Sequence, residues 1–122
     1  MLRRKTGKET GDNAEAEARA HLEGAGLQLV EKNYRCRQGE IDLIMRQGNT
    51  LVFVEVRYRR STAFGSAAES ITATKRQRII TTASHYLTCR KQGDSACRFD
   101  VVAITGEHRQ KVEWIKDAFQ LD

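Results

Sequence analysis

The sequence contains no proline and only three cysteines, Cys36, Cys89 and Cys97. Because they are odd in number and widely spaced, they do not indicate a disulfide framework or a Cys-x-x-Cys zinc site. We expect three reduced and mostly buried thiols, although the spacing leaves a Cys89–Cys97 pair open.

Long apolar runs are also missing. No run approaches the length of a membrane-spanning helix, and the N-terminus lacks the apolar stretch of a secretory signal. We therefore expect a cytoplasmic protein with no membrane partner. Residues 1–11 are polar and basic and have no apolar period, which predicts a flexible N-terminal arm before a single domain over residues 12–122.

Two common catalytic arrangements are absent from the sequence. The glycines form no phosphate-binding loop of the dinucleotide or nucleoside-triphosphate type. His21, His85 and His108 are scattered along the chain, and a surface or edge role suits them better than that of a base or a metal ligand.

Basic residues outnumber acidic ones, 21 against 16, which gives a formal net charge of +5. They form clusters, and an excess of this kind favours polyanionic partners, nucleic acid first. Many soluble proteins carry a similar charge without such a partner, so charge alone does not decide. The clusters are Arg3-Arg4-Lys5 with Lys8, Arg57-Tyr58-Arg59-Arg60, and Lys75-Arg76 with Arg78.

The order of predicted elements indicates the fold class. A helix is predicted from Asp12, as its N-cap, to about Gly24, and a long helix over residues 67–91. Strands are predicted over residues 27–36, 39–45, 51–57, 97–105 and 111–115, with a closing helical turn after the last. This order predicts an α/β domain with an αβββαβ core, in which helices flank a mixed central sheet.

The second and third strands have a register that can be derived. Their apolar residues lie on the same face only if the residue numbers of each cross-strand pair add up to 97. This register places Asp42 opposite Glu55 and Glu40 opposite Arg57. Two carboxylates that face each other across a ladder repel, so the pair is destabilising unless a cation lies between them. A hard divalent metal ion supplies that cation.

Two further charged residues lie on helix faces that should pack against the sheet. Glu15 shares a face with Ala18 and Leu22, and Lys75 lies between Ile71 and Ile79. Buried charges need partners, and the carboxylate pair is the simplest common one. Such a cluster suits hydrolysis of phosphodiesters, in which Mg²⁺ or Mn²⁺ activates a water and a nearby cation positions it.

Several motifs resemble the YraN family of bacterial proteins. They are Gly-Glu-Ile-Asp-Leu-Ile over residues 39–44, Val-Phe-Val-Glu-Val-Arg over residues 52–57, Phe64-Gly65, and Lys75. The similarity extends from Gly11 with Ala14-Glu15 to residues 98–102. That family resembles the restriction-endonuclease-like superfamily, with a layout close to Holliday-junction resolvases. The resemblance implies a metal-dependent endonuclease that acts on branched or structured DNA, with DNA favoured over RNA as the substrate. It also makes a homodimer one possible oligomeric state.

By this resemblance Asp42, Glu55 and Glu15 hold the metal. The superfamily usually has a lysine where this chain has Arg57. Arginine cannot shuttle a proton as lysine can, but it can hold a phosphate or orient a water. Lys75 could supply the missing ammonium group, and Arg57 could instead be a structural partner of Glu40.

Each assignment has a structural alternative. Arg57 and Lys75 could divide the carboxylate pair into two buried salt bridges, and Glu15 could be an exposed partner of Arg19. Arg59, Arg60, Arg76 and Arg78 are expected to contact phosphates, or else are ordinary solvated charges. Trp114 and Phe119 are expected in the core. Two other functions remain open: a nucleic-acid-binding module that has lost catalysis, and an interaction protein that binds no nucleic acid.

Overall fold

A computed structural model of the chain describes residues 7–59, 71–106 and 111–120, with side chains from residue 13 onward. The elements are α1 (Gly7–Gly24), β1 (Gln28–Cys36), β2 (Gly39–Gln47), β3 (Thr50–Arg59), α2 (Ala73–Cys89), β4 (Ala96–Thr105) and β5 (Lys111–Phe119). The predicted α/β class and its αβββαβ order are confirmed.

The five strands form one mixed sheet in the order β1-β2-β3-β4-β5. Strands β3 and β4 are parallel, since α2 returns the chain across the sheet between them, and the other neighbours are antiparallel. The β2–β3 pairs run from Gln47↔Thr50 to Leu43↔Val54, which confirms the predicted register. Gly48, in the tight turn of this hairpin, has φ +59°, a conformation that glycine adopts without strain.

Alternating side chains of β2 and β3 build a core on each side of the sheet. Phe53 and Ile44 pack against α2, whereas Val52 and Val54 pack against α1. The interior strand β4 is buried on both faces, as predicted from its continuous apolar run over residues 101–104. The two helices therefore cover opposite faces, and the ends of β2 and β3 lie between them.

Three element boundaries differ from the prediction by four residues or more, and the others by at most two. Helix α1 begins at Gly7, so Asp12 is not its N-cap and part of the predicted arm is helical. Helix α2 begins after the N-cap Thr72, and the buried Ile71 lies before it. Strand β5 continues to Phe119, and the predicted closing helical turn does not occur in residues 116–119.

The three cysteines are free. Cys36 and Cys97 are half-buried, but Cys89 is exposed, so the prediction of mostly buried thiols is wrong for that residue. As predicted, Phe119 lies in the core. The half-buried Trp114 packs on the α1-side core and meets His21 edge to face. Neither described helix is long and apolar enough to cross a membrane.

Candidate metal centre and nucleic-acid interface

Asp42 and Glu55 meet where the β2–β3 ladder ends. Each is the first residue beyond the final pair, Leu43↔Val54, and together they form a hydrogen-bonded carboxyl pair. The ladder stops one pair short of the predicted Asp42–Glu55 pair, so the observed register brings the two residues together but does not include them as a ladder pair. Because strand β3 continues beside β4, with Glu55 next to Val101, Glu55 stays within the sheet and is only 6% exposed.

The surroundings of Asp42 favour its protonated form. Its Oδ2 accepts a hydrogen bond from the backbone N–H of Val56 at 2.8 Å. Burial, followed by the charge of Glu55, raises the pKa of Asp42 from 3.8 to about 8, and the charge of Glu15 acts in the same direction. Burial and the neighbouring carboxylates therefore favour a protonated Asp42, which can donate a hydrogen bond to Glu55. Among the described residues no basic side chain forms an ion pair with Asp42.

Glu55 differs from Asp42 because it has cationic neighbours. Lys75 Nζ lies 3.5 Å from Glu55 Oε1, and the ammonium group is on a side chain that is 45% exposed. Burial raises the pKa of Glu55, while Lys75, the hydrogen bond with Asp42 and the charge of Arg57 each oppose that rise. Of the two salt bridges in the structural alternative, the described residues form only one, between Glu55 and Lys75, and none of them gives Asp42 a cation.

Glu15 faces the pair from α1, and Asn33 holds it there. The Asn33 amide donates to Glu15 Oε2 at 3.0 Å and to Glu40 Oε1 at 3.5 Å. Asn33 has φ +52° within strand β1, a left-handed conformation that asparagine tolerates better than most residues. The alternative that pairs Glu15 with Arg19 is wrong, because Arg19 contacts Glu23 at 3.2 Å.

Sequence reasoning missed Asn33. Its signal was an asparagine inside a strand, a residue type that is depleted in strands and enriched in left-handed conformations. The prediction that Glu40 opposes Arg57 is not supported by the ladder, which ends before those residues. Glu40 instead forms an ion pair with Arg35, its neighbour on β1, at 3.3 Å.

The carboxylate pair has the donor chemistry of a site for Mg²⁺ or Mn²⁺. No three His, Cys, Asp or Glu side chains in the described ranges form a complete metal-binding group. A pair nevertheless fits Mg²⁺, which proteins commonly hold through one or two carboxylates plus water and substrate phosphate. The raised pKa of Asp42 fits as well, since a cation between the two oxygens would replace the shared proton.

The predicted nucleic-acid contacts lie on two elements. Arg76 and Arg78 are exposed on α2, in the same turns as Lys75. Arg57 and Arg59 are half-buried at the end of β3, beyond Glu55. Arg60, together with the predicted motif Phe64-Gly65, lies outside the described residues.

A second buried acidic residue, Asp100, belongs to the fold and not to this centre. It is completely buried and accepts hydrogen bonds from Arg98, Trp114 Nε1 and the backbone N–H of Asp117. These donors, which include a guanidinium, satisfy the carboxylate as an anion. Asp100 therefore stabilises the junction of β4 and β5.

Comparison with known proteins identifies relatives over most of the chain. Residues 14–104 match the model of the family described as "Uncharacterised protein family UPF0102". A UPF0102 protein of Nitrosomonas europaea is 57% identical over 89% of this chain and 92% of its own length. The UPF0102 protein YraN of Escherichia coli is 55% identical over 96% of this chain and 88% of its own length. The chain therefore belongs to the UPF0102 family, which includes the YraN proteins.

Proposed function

We propose that this protein is a metal-dependent endonuclease that hydrolyses phosphodiester bonds in DNA, including branched or structured DNA. Asp42 and Glu55 hold Mg²⁺ or Mn²⁺, and Glu15 assists from α1. When bound, the ion supplies a more acidic water and charge neutralisation at the phosphate. One observation carries the proposal: two hydrogen-bonded carboxyl groups at the end of the ladder, one of which has no described basic partner.

The cationic side chains have separate roles in this proposal. Lys75, fixed by its contact with Glu55, orients the attacking water or holds a phosphate oxygen, and its exposure leaves it accessible to substrate. Arg57 holds the phosphate from the end of β3. Arg59, Arg60, Arg76 and Arg78 bind the flanking backbone, which would give the affinity a marked salt dependence.

Incubation of the protein with branched, single-stranded and duplex DNA in Mg²⁺ or Mn²⁺ tests the proposal. Asp42→Asn and Glu55→Gln each remove a metal ligand with little change in side-chain volume. We expect each to lower the cleavage rate by about 100-fold or more, as losing a group that stabilises developing charge does. Glu23→Gln is the matched control, since Glu23 is an exposed carboxylate on α1.

Cleavage by the wild-type protein that both variants retain in full would contradict the site assignment. A circular-dichroism spectrum and melting curve for each variant would confirm that lost activity is not lost folding. The same gel assay, repeated after addition of EDTA, establishes whether turnover depends on a divalent ion.

Arg57 favours a second candidate, a nucleic-acid-binding module with weakened catalysis, because arginine occupies the position at which the resembled superfamily has lysine. This candidate binds DNA in a salt-dependent manner with little or no turnover. Arg57→Lys separates the two in the same assay. A gain of cleavage would support the weakened module, and a loss would support participation of Arg57 in catalysis.

A further inference from the structure

A groove lies between helix α2 and the β1–β2 turn, on chain segments that lead into Lys75 and Asp42. It has a volume of about 360 Å³, and its walls are Gln38 of the turn and one face of α2. The α2 residues follow the spacing of a single helical face: Thr74, Gln77, Arg78 and Thr81. None of these side chains is acidic.

Close packing joins the β1–β2 turn to helix α2 beside the groove. A Cβ added to Gly39 would lie 3.0 Å from Thr82 Oγ1 and 3.6 Å from Arg78 Cβ, so the turn and the helix approach as closely as a glycine allows. The Thr82 hydroxyl donates to the Arg78 carbonyl at 2.7 Å, and the Cys36 thiol donates to Gln38 Oε1 at 3.2 Å. The groove is therefore a built feature of the fold.

The distribution of charged residues indicates which sign of charge the ligand of the groove carries. Helix α2 carries Lys75, Arg76 and Arg78 and not one acidic residue over its whole length. The described side chains of α1, on the other face of the sheet, include three glutamates, Glu15, Glu17 and Glu23, and only one arginine. The acidic residues of β1 and β2 on the neighbouring segments are Glu31, Glu40 and Asp42. Glu31 pairs with Arg90 and Glu40 with Arg35, while Asp42 belongs to the carboxylate pair. The α2 face thus attracts an anion.

The position and size of the groove narrow the ligand further. The turn leads into β2 and Asp42, and Thr74 precedes Lys75, so the segments that form the groove also carry the centre. The volume lies at the lower end of the range for small-ligand sites, which suits one nucleotide and not a double helix. Glutamine amides and threonine hydroxyls can bond to the exposed edges of an unpaired base, while Arg78 pairs with a phosphate.

We infer that this groove binds an unpaired nucleotide of a nucleic-acid strand beside the carboxylate pair. The inference rests on the proposed function and specifies its substrate as a strand with a single-stranded segment at the groove. The amides of Gln38 and Gln77 contact the base, and Arg78 contacts the phosphate. Duplex flanking such a segment lies outside the groove.

Fluorescence anisotropy in EDTA tests the inference without any contribution from turnover. The probes are a labelled single-stranded oligonucleotide and a blunt hairpin duplex of the same length, titrated at several salt concentrations. Arg78→Gln removes the cation, and Gln77→Glu places a negative charge on the wall. Arg19→Gln on α1 and Gln28→Glu at the start of β1 are matched controls, because they make the same charge changes at exposed or half-buried positions away from the groove.

We expect the wild-type protein to bind the single strand more tightly than the hairpin. Gln77→Glu should weaken single-strand binding by at least about fivefold, and Arg78→Gln should reduce the slope of log Kd against log salt by about 0.7, the value for one phosphate contact on a single strand. The two controls should match the wild type.

Two outcomes overturn the inference and are distinguishable. If the protein binds the single strand but both groove variants bind as the wild type does, or if the hairpin is preferred, the groove is not the site and the proposed function stands. If the wild-type protein binds neither probe even at low salt, the nucleic-acid part of the proposed function fails together with the groove.

Discussion

At the scale of single residues, the half-buried Asp42 and the fully buried Asp100 show how surroundings decide what a carboxylate does. Asp100 accepts hydrogen bonds from Arg98, Trp114 and a backbone N–H, and these stabilise it as an anion. Asp42 has one backbone donor and two acidic neighbours, Glu55 and Glu15. The first arrangement contributes to folding, whereas the second opposes it unless a cation or a proton neutralises the pair.

Asp42 gives the stability of the protein a defined pH dependence. Its pKa rises from 3.8 to about 8 on folding, so the folded state binds more protons than the unfolded state between these values. Stability contributed by the protonated group is present below about pH 4 and is lost as the pH rises towards 8. In the absence of metal, the free energy of unfolding should therefore fall over this window.

Asp42→Asn should remove this fall in the free energy of unfolding, because asparagine is neutral at every pH between about 4 and 8. At pH 8.5 without metal, we expect the variant to be more stable than the wild type by at least about 1.4 kcal/mol, the equivalent of one pKa unit. At pH 5 the difference should be small. Urea unfolding at both values measures it, with the exposed Asp94→Asn as control. Equal stabilities at pH 8.5 would contradict the account of Asp42.

At the scale of elements, some of the structure follows from sequence patterns and some does not. The β2–β3 register and the carboxylate pair could be predicted because apolar residues alternate on both strands and only one offset matches them. The start of α2 could not, because the buried Ile71 continues the helical apolar spacing although it lies before the cap. The sequence pattern also does not predict that β5 continues beyond residue 115 to Phe119. A left-handed residue, Asp117, shapes its end, and its N–H binds a distant carboxylate.

One contact between α1 and β1 is a tertiary hydrogen bond, from Asn33 to Glu15, that no periodicity in the sequence indicates. Asn33 links Glu15 to Glu40 and adopts a left-handed conformation to do so. The site could therefore be predicted as a pair from local alternation, while the arrangement of its third carboxylate required the packing of a helix on an edge strand.

Substitution of Asn33 separates its backbone role from its amide role. Asn33→Gly keeps the left-handed conformation, so we expect it to be more stable than Asn33→Ala by about 1–2 kcal/mol. Both variants lose the bond to Glu15, and both should bind Mn²⁺ about tenfold more weakly than the wild type, as losses of supporting contacts around metal sites do. Urea unfolding and Mn²⁺ titration measure the two effects.

Metal affinity that is unchanged in Asn33→Gly would show that Glu15 does not depend on Asn33 for its role. Equal stability of the glycine and alanine variants would contradict the conformational argument. Arg35→Ala is a useful control, since Arg35 is exposed and contacts the same network only through Glu40.

At the scale of the whole molecule, the sheet separates two faces of different charge. Helix α1 brings carboxylates to one face and α2 brings basic residues to the other, with the Asp42–Glu55 pair between them. This layout suits an enzyme that binds a metal cation and a polyanion at one site. The carboxylates attract the cation, and the basic residues of α2 attract the polyanion. The net charge of +5 favours a polyanionic ligand but does not indicate which face would bind it.

The most direct test is a calorimetric titration of the wild-type protein with Mn²⁺ at pH 7.5, in two buffers that differ in ionisation enthalpy. We expect one Mn²⁺ to bind per chain with release of close to one proton, since the ion replaces the proton shared by Asp42 and Glu55. Asp42→Asn should abolish this binding and Glu23→Gln should preserve it. Absence of Mn²⁺ binding by the wild type, or equal binding by Asp42→Asn, would contradict a metal centre at this pair.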